Sequence, residues 1–162
     1  MQIGAFRTIA RRWISWLLWP KQTGRSGRYG ATYHDHNIPE RMPAGAGRGA
    51  WVLVENSGQT PWDQYHPQGS RVDLLVYCDK DLLITQPMPR PKVLPGERIA
   101  VHFALRMPRT TGRHKIVVDL VAQNEARFSD MGVKPLVIKV YLDRPVNDKN
   151  REVYEQAKRI NP

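Results

Sequence analysis

The sequence predicts an all-β fold, an antiparallel sandwich with an appendage at each end. Three observations point there. From Arg98 to Leu105 the residues Ile99, Val101, Phe103 and Leu105 alternate with Arg98, Ala100, His102 and Ala104, the period-two pattern of a strand with one buried face. Further β-type runs at 51–56, 71–78, 82–85, 114–122, 126–128 and 136–142 are separated by Asn-Ser-Gly, Pro-Gly and Thr-Gly turn signals. No helix-period segment lies between these runs, which disfavours a parallel α/β fold. With 162 residues, 41% of them hydrophobic, the chain has material for a single core.

The first element, residues 1–20, reads as an amphipathic helix. Phe6, Ala10, Trp13, Ile14 and Leu17 fall on one face, Arg7, Arg11 and Ser15 fall opposite, and Pro20 stops the helix. Trp16, Leu18 and Trp19 widen the apolar face, and Arg12 adds a third cation. A helix from Ile3 to Trp19 would be ~26 Å long, short of a ~30 Å hydrocarbon core, with three arginines inside it. The segment is therefore a poor transmembrane span. Tryptophan with arginine suits a membrane interface or a protein partner, so Phe6, Arg7, Arg11, Arg12, Trp13, Trp16, Leu17 and Trp19 are the predicted docking residues. The Pro-Lys-Gln-Thr-Gly-Arg stretch that follows offers no signal-peptide cleavage site.

Residues 21–50 contain eight glycines and prolines and no hydrophobic period, so they read as an extended basic linker arm. Its contact residues would be Lys21, Arg25, Arg28, Tyr29 and Tyr33. Charge is concentrated at this end: residues 1–50 hold eight basic and two acidic residues, +6 of the chain's +10. Next to an anionic leaflet each such cation contributes ~1 kcal/mol, which would turn marginal helix insertion into stable attachment.

Residues 51–142 are the predicted sandwich, with Val101, Phe103, Ile116, Val118, Leu120, Ile138 and Val140 inside. Pro95-Gly96 reads as a type II turn pair, and Asn56-Ser57-Gly58 as a turn with a residue able to take positive φ. Asp119 interrupts an apolar run and reads as a cap on a neighbouring loop. Cys78 is the only cysteine, so no intramolecular disulfide forms; it reads as a small buried thiol, and its solitude fits a cytoplasmic location better than a secreted one. In the tail, residues 143–162, Asn147 can cap a short helix with Val153, Ala157 and Ile160 as a narrow stripe.

Residues 51–142 also resemble a known family. The runs Trp51-Val-Leu-Val-Glu-Asn-Ser-Gly-Gln-Thr-Pro-Trp62, Leu94-Pro-Gly-Glu97, Met107-Pro with Thr111-Gly112 and Ile116-Val-Val-Asp-Leu-Val121, and Phe128-Ser-Asp-Met-Gly132 with Pro135-Leu136 are similar to the immunoglobulin-like sandwich appended to bacterial glycosyltransferases and methyltransferases of cell-surface polysaccharide synthesis. The resemblance implies an accessory module without catalytic residues. It departs from the family where the second strand reads Val76-Tyr-Cys-Asp79 and in carrying no attached enzyme.

Motifs for chemistry are sparse. His34-Asp35-His36 supplies two imidazoles, too few for a zinc site, and no metal or other cofactor is expected. His66, His102 and His114 belong to no nucleophile motif, and no phosphate-cradling Gly-x-x-x-x-Gly-Lys is present, so an enzyme is not expected. The reading is a non-catalytic accessory subunit on the cytoplasmic face of a membrane, its partners an anionic lipid surface and an integral membrane protein complex. The Trp- and Arg-rich helix ending at proline resembles the membrane-entering segment of bacterial light-harvesting polypeptides, which implies a photosynthetic or respiratory host. Two alternatives stand beside it. A glycan-associated module would use Trp62, Asp63 and Tyr65 as a ligand face. A nucleic-acid binder would use Tyr29 and Tyr33 among the arm's cations, but the sequence shows no aromatic stripe with basic neighbours on a strand face.

Overall fold

A computed structural model describes residues 28–65, 71–123 and 125–145. The docking helix of residues 1–20, the first part of the arm, His66 and the tail helix lie outside the described residues. Among the described residues ten strands follow in chain order: β1 (Ala31–His36), β2 (Arg41–Pro43), β3 (Gly47–Asn56), β4 (Trp62–Asp63), β5 (Val72–Cys78), β6 (Asp81–Pro87), β7 (Lys92–Val93), β8 (Arg98–Arg106), β9 (Gly112–Ala122) and β10 (Leu136–Asp143). One sheet has the order β1-β3-β8, a second has the order β2-β10-β9-β5-β6, and β4 pairs with β7 beside them. All pairings are antiparallel except β2 on β10, which is parallel.

The alternating residues meet between the two sheets. Val52, Val54, Val101, Phe103 and Leu105 come from the three-stranded sheet, and Val72, Leu74, Val76, Ile116, Val118, Leu120, Ile138, Val140 and Leu142 from the five-stranded one. All seven core residues predicted from spacing are buried. One end of the core is aromatic: Trp62 packs edge-on to Phe128 with centroids 5.9 Å apart, and Tyr29 lies 5.3 Å from Phe128 on another side. Such rings bury large apolar areas and add edge-to-face attraction.

Residues 28–50 are not a linker arm. They supply β1, β2 and the start of β3, and bury Tyr29, Ile38, Met42 and Ala44. The sequence hides this because β1 reads Ala-Thr-Tyr-His-Asp-His, a polar edge strand with a register shift between Tyr33 and Asp35. Its beginning is fixed by two glycines that touch. A Cβ on Gly58 would sit 2.4 Å from Gly30 N, and one on Gly30 would sit 2.8 Å from Gly58 N, so only glycine permits the bond from Ser57 N to Gly30 O. Gly58 is thus required for close approach, not for the positive φ read from the sequence. Positive φ occurs instead at Gly96, +83°, within the Pro95-Gly96 turn closed by Glu97 N on Leu94 O.

Asn56 ties this region together. Its Nδ2 donates to Thr60 O and Val93 O, both at 3.0 Å, and its Oδ1 accepts from Gly58 N at 3.1 Å. The run 126–128 does not become a strand: Arg127 makes one isolated bridge to Val121, and the chain turns into a 3-10 segment, Ser129–Met131. Asp119 accepts from Ser129 N at 3.3 Å, the loop-capping role expected of it. Burial pushes its carboxyl upward, opposed by the bonds it accepts from Ser129 and Leu120.

Candidate functional site

Cross-strand register assembles one surface that no single segment contains. On the outer face of the five-stranded sheet, Tyr141 lies opposite both Arg41 and Arg113, Lys139 opposite Lys115, and Val137 opposite Val117, which is in turn opposite Tyr77. Because side chains alternate across a strand, these residues share the side turned away from the core. Val137 is 50% exposed and Tyr141 41% exposed. The Arg41 guanidinium sits 4.9 Å from the centre of the Tyr141 ring, close enough for cation–π attraction.

A cleft of about 350 Å³ opens on this face between Tyr77, Val117, Pro135 and Val137, with Lys115, Lys134 and Arg127 around it and Asp79 and Asp119 at its edge. The acids are engaged. Asp79 bonds to His114 and Lys115 N, Asp119 caps Ser129, Asp130 pairs with Arg127 at 3.2 Å, and Asp143 pairs with Arg41. Arg113, Lys115, Lys134 and Lys139 are exposed and have no carboxylate partner among the described residues. The result is an apolar and aromatic strip bordered by four uncompensated cations.

The residues singled out from the sequence are distributed otherwise. Lys21 and Arg25 lie outside the described residues. Arg28 forms an ion pair with Glu125 at 3.3 Å, and Tyr29 is buried and donates to Glu125 at 2.9 Å. Burial and that carboxylate push the Tyr29 phenol to about 12. Tyr33 packs against the core with its hydroxyl unpartnered, so neither tyrosine is available to stack on a ligand. Burial, then the neighbouring Asp119, hold the Tyr33 phenol well above its ordinary range. The predicted glycan face is also dismantled: Trp62 is fully buried, Asp63 pairs with Lys92 at 3.5 Å, and Tyr65 alone is exposed. His34 and His36 do not converge. His34 Nε2 meets Glu55 Oε2 at 2.7 Å, while His36 Nδ1 accepts from Ile38 N at 3.2 Å. No single segment of the sequence shows a basic aromatic strand face; the outer sheet face is one, built from Tyr77 and Tyr141 on strands far apart in the chain.

A second cluster lies at the tip of the β5–β6 hairpin. The ligand-bearing atoms of Cys78, Asp79 and His114 lie within 4.8 Å of one another. His114 Nδ1 meets Asp79 Oδ2 at 2.7 Å, and its Nε2 meets Thr110 O at 3.1 Å. This is not a nucleophile arrangement, since both ring nitrogens are engaged away from the thiol. Burial, with Asp79 and Asp81 nearby, pushes the Cys78 thiol up to about 11.

No family model matches the chain, and no curated protein matches it. Solved structures do resemble it. The CARDB domain of a Pyrococcus furiosus protein is 14% identical with a TM-score of 0.45, covering 70% of this chain and 91% of that one. A fibronectin(III)-like module of Clostridium thermocellum CbhA is 10% identical with a TM-score of 0.41, covering 72% and 99%. The PKD domain of an M14-like peptidase from a Thermoplasmatales archaeon is 9% identical with a TM-score of 0.41, covering 72% and 96%. These neighbours are immunoglobulin-like, fibronectin-III, PKD and CARDB β-sandwich domains. At such identities and scores they bring no ligand, partner or activity to this chain.

Proposed function

We propose that the chain is a non-catalytic accessory module that docks on an anionic membrane surface, where it steadies a larger membrane protein complex. The observation that carries this reading is the outer sheet face, where Arg113, Lys115, Lys134 and Lys139 border the apolar strip of Tyr77, Val117, Val137 and Tyr141. A face of that kind meets lipid phosphates with its cations and the interfacial region with its tyrosines. The Trp- and Arg-rich residues 1–20 add an apolar anchor, and two weak attachments on one chain give a firm one.

Flotation with liposomes tests the reading. The full chain should float with phosphatidylserine-containing vesicles and not with phosphatidylcholine alone. Lys115→Gln with Lys139→Gln removes two cations of ~1 kcal/mol each and should weaken partitioning ~30-fold at low salt. Trp13→Ala, Trp16→Ala and Trp19→Ala together should release the protein even there. Failure of the wild-type chain to float on anionic vesicles would remove the proposal.

Tyr77 and Tyr141 beside cations also favour a second reading, a single-stranded nucleic-acid face. It predicts binding to an oligonucleotide that falls steeply with salt and survives the tryptophan changes. A membrane pellet that releases the wild-type chain only after nuclease would select this alternative.

A further inference from the structure

We propose that Cys78, Asp79 and His114 form a binding site for a divalent transition ion of the zinc class, with Sγ, a carboxylate oxygen and Nδ1 as ligands and water in the fourth position. The site is independent of the lipid-docking reading. It lies where β5 ends on the core side of β9, and it joins residues from a hairpin tip and a neighbouring strand.

Three features lead to it. The first is the donor set: one soft thiol, one imidazole and one carboxylate, the mixed S, N and O combination that borderline-soft zinc accepts and that magnesium and calcium do not. The second is the histidine. Its Nε2 faces the Thr110 carbonyl at 3.1 Å, nearer than the Thr110 hydroxyl at 3.5 Å, and a carbonyl can only accept. With Nε2 turned to that carbonyl, Nδ1 is the ring nitrogen hydrogen-bonded to Asp79 Oδ2 at 2.7 Å, and a metal ion can take the place of the shared hydrogen. A ligating histidine whose other ring N–H is fixed by a backbone carbonyl is the usual outer-shell arrangement of metal sites.

The third feature is Asp79 itself. It is the only non-glycine among the described residues with positive φ, +54°. That conformation is held because Asp79 N donates to Lys115 O at 2.7 Å and Asp79 Oδ1 accepts from Lys115 N at 3.0 Å. The strained residue brings its carboxylate beside the imidazole and near the thiol. The donor atoms lie within 4.8 Å of one another and tetrahedral zinc sets its ligands ~3.5 Å apart, so binding requires the Cys78 and Asp79 side chains to adjust. On binding, the thiol proton and the proton between Nδ1 and Oδ2 leave to solvent, and the ion's charge offsets the buried thiolate. No oxidant or reductant is involved.

Cobalt(II) reports on this geometry directly. The untagged, reduced full chain titrated with Co²⁺ should develop a near-ultraviolet thiolate-to-cobalt charge-transfer band and visible bands of tetrahedral intensity. They should saturate at one equivalent and be displaced by Zn²⁺. Cys78→Ser should abolish the near-ultraviolet band, and His114→Gln should weaken cobalt binding at least tenfold. Asp79→Asn, which leaves thiol and imidazole in place, should weaken it by a smaller factor. Thermal melts of each metal-free variant against wild type establish that it is folded. If a variant does not fold, the wild-type chain still decides: Zn²⁺ should raise its melting temperature and a chelator should reverse the rise. A wild-type titration without a charge-transfer band, or a band that survives in Cys78→Ser, would overturn the site.

Discussion

Replacing Asn56 by Asp exchanges one nitrogen for an oxygen and should destabilise the sandwich in a pH-dependent way. Asn56 Nδ2 donates to Thr60 O and Val93 O at 3.0 Å, and the residue is fully buried. A carboxylate there loses both donors and turns a negative oxygen toward two carbonyls. Both carbonyls lose a donor, Val93 at a buried position and Thr60 at a half-buried one that recovers some hydration. Leaving buried polar groups unpaired costs ~1–3 kcal/mol each, and an uncompensated buried charge brings the total to ~3–5 kcal/mol at pH 7. With a urea m-value of ~2 kcal/mol/M, the midpoint should fall by about 2 M. The sign with pH follows from burial. The introduced carboxyl binds its proton more tightly folded than unfolded, so the penalty is smallest below the unfolded value near ~4 and grows as pH rises through the folded one. Protonated, it can also donate to one of the two carbonyls. Urea melts of wild type and Asn56→Asp at pH 4 and pH 7, taken as differences, provide the measurement. A loss under ~1 kcal/mol at pH 7, or one that grows on acidification, would refute this account of Asn56.

Three further outcomes are expected. Asp119→Asn keeps an oxygen for Ser129 N and Leu120 N while removing a carboxyl that burial holds upward, so its stability relative to wild type should improve from pH 4 to pH 7.5; a relative decline in paired melts would contradict that sign. Gly58→Ala drives a Cβ to 2.4 Å from Gly30 N and should cost ~1–3 kcal/mol, whereas Gly49→Ala meets nothing within 4 Å and should be neutral or slightly stabilising in the same denaturation assay. Limited trypsin digestion should cut slowly at Arg41 and Arg48, which lie in β2 and β3, and mass spectrometry of early fragments dominated by either site would show that this region is not held as a sheet.

Period-two alternation is a local property, so the strands that carry the core were legible from the residues alone. Val101, Phe103, Ile116, Val118, Leu120, Ile138 and Val140 are buried where their spacing puts them. The Pro95-Gly96 turn was legible for the same reason, because a type II turn is specified by its own two central residues. β1 and β2 were not. Their side chains are mostly polar, and they are strands because Gly30 fits against Gly58 and because Tyr141 N bonds back to Glu40 O, contacts about 30 and 100 residues apart in sequence. The same non-locality hid both candidate sites. Tyr141 meets Arg41 and Arg113, and Asp79 meets His114, only through cross-strand register, which is set by the packing of the whole sandwich and written in no single segment. Local alternation therefore determined which residues face inward, and tertiary pairing alone decided which outward residues became neighbours.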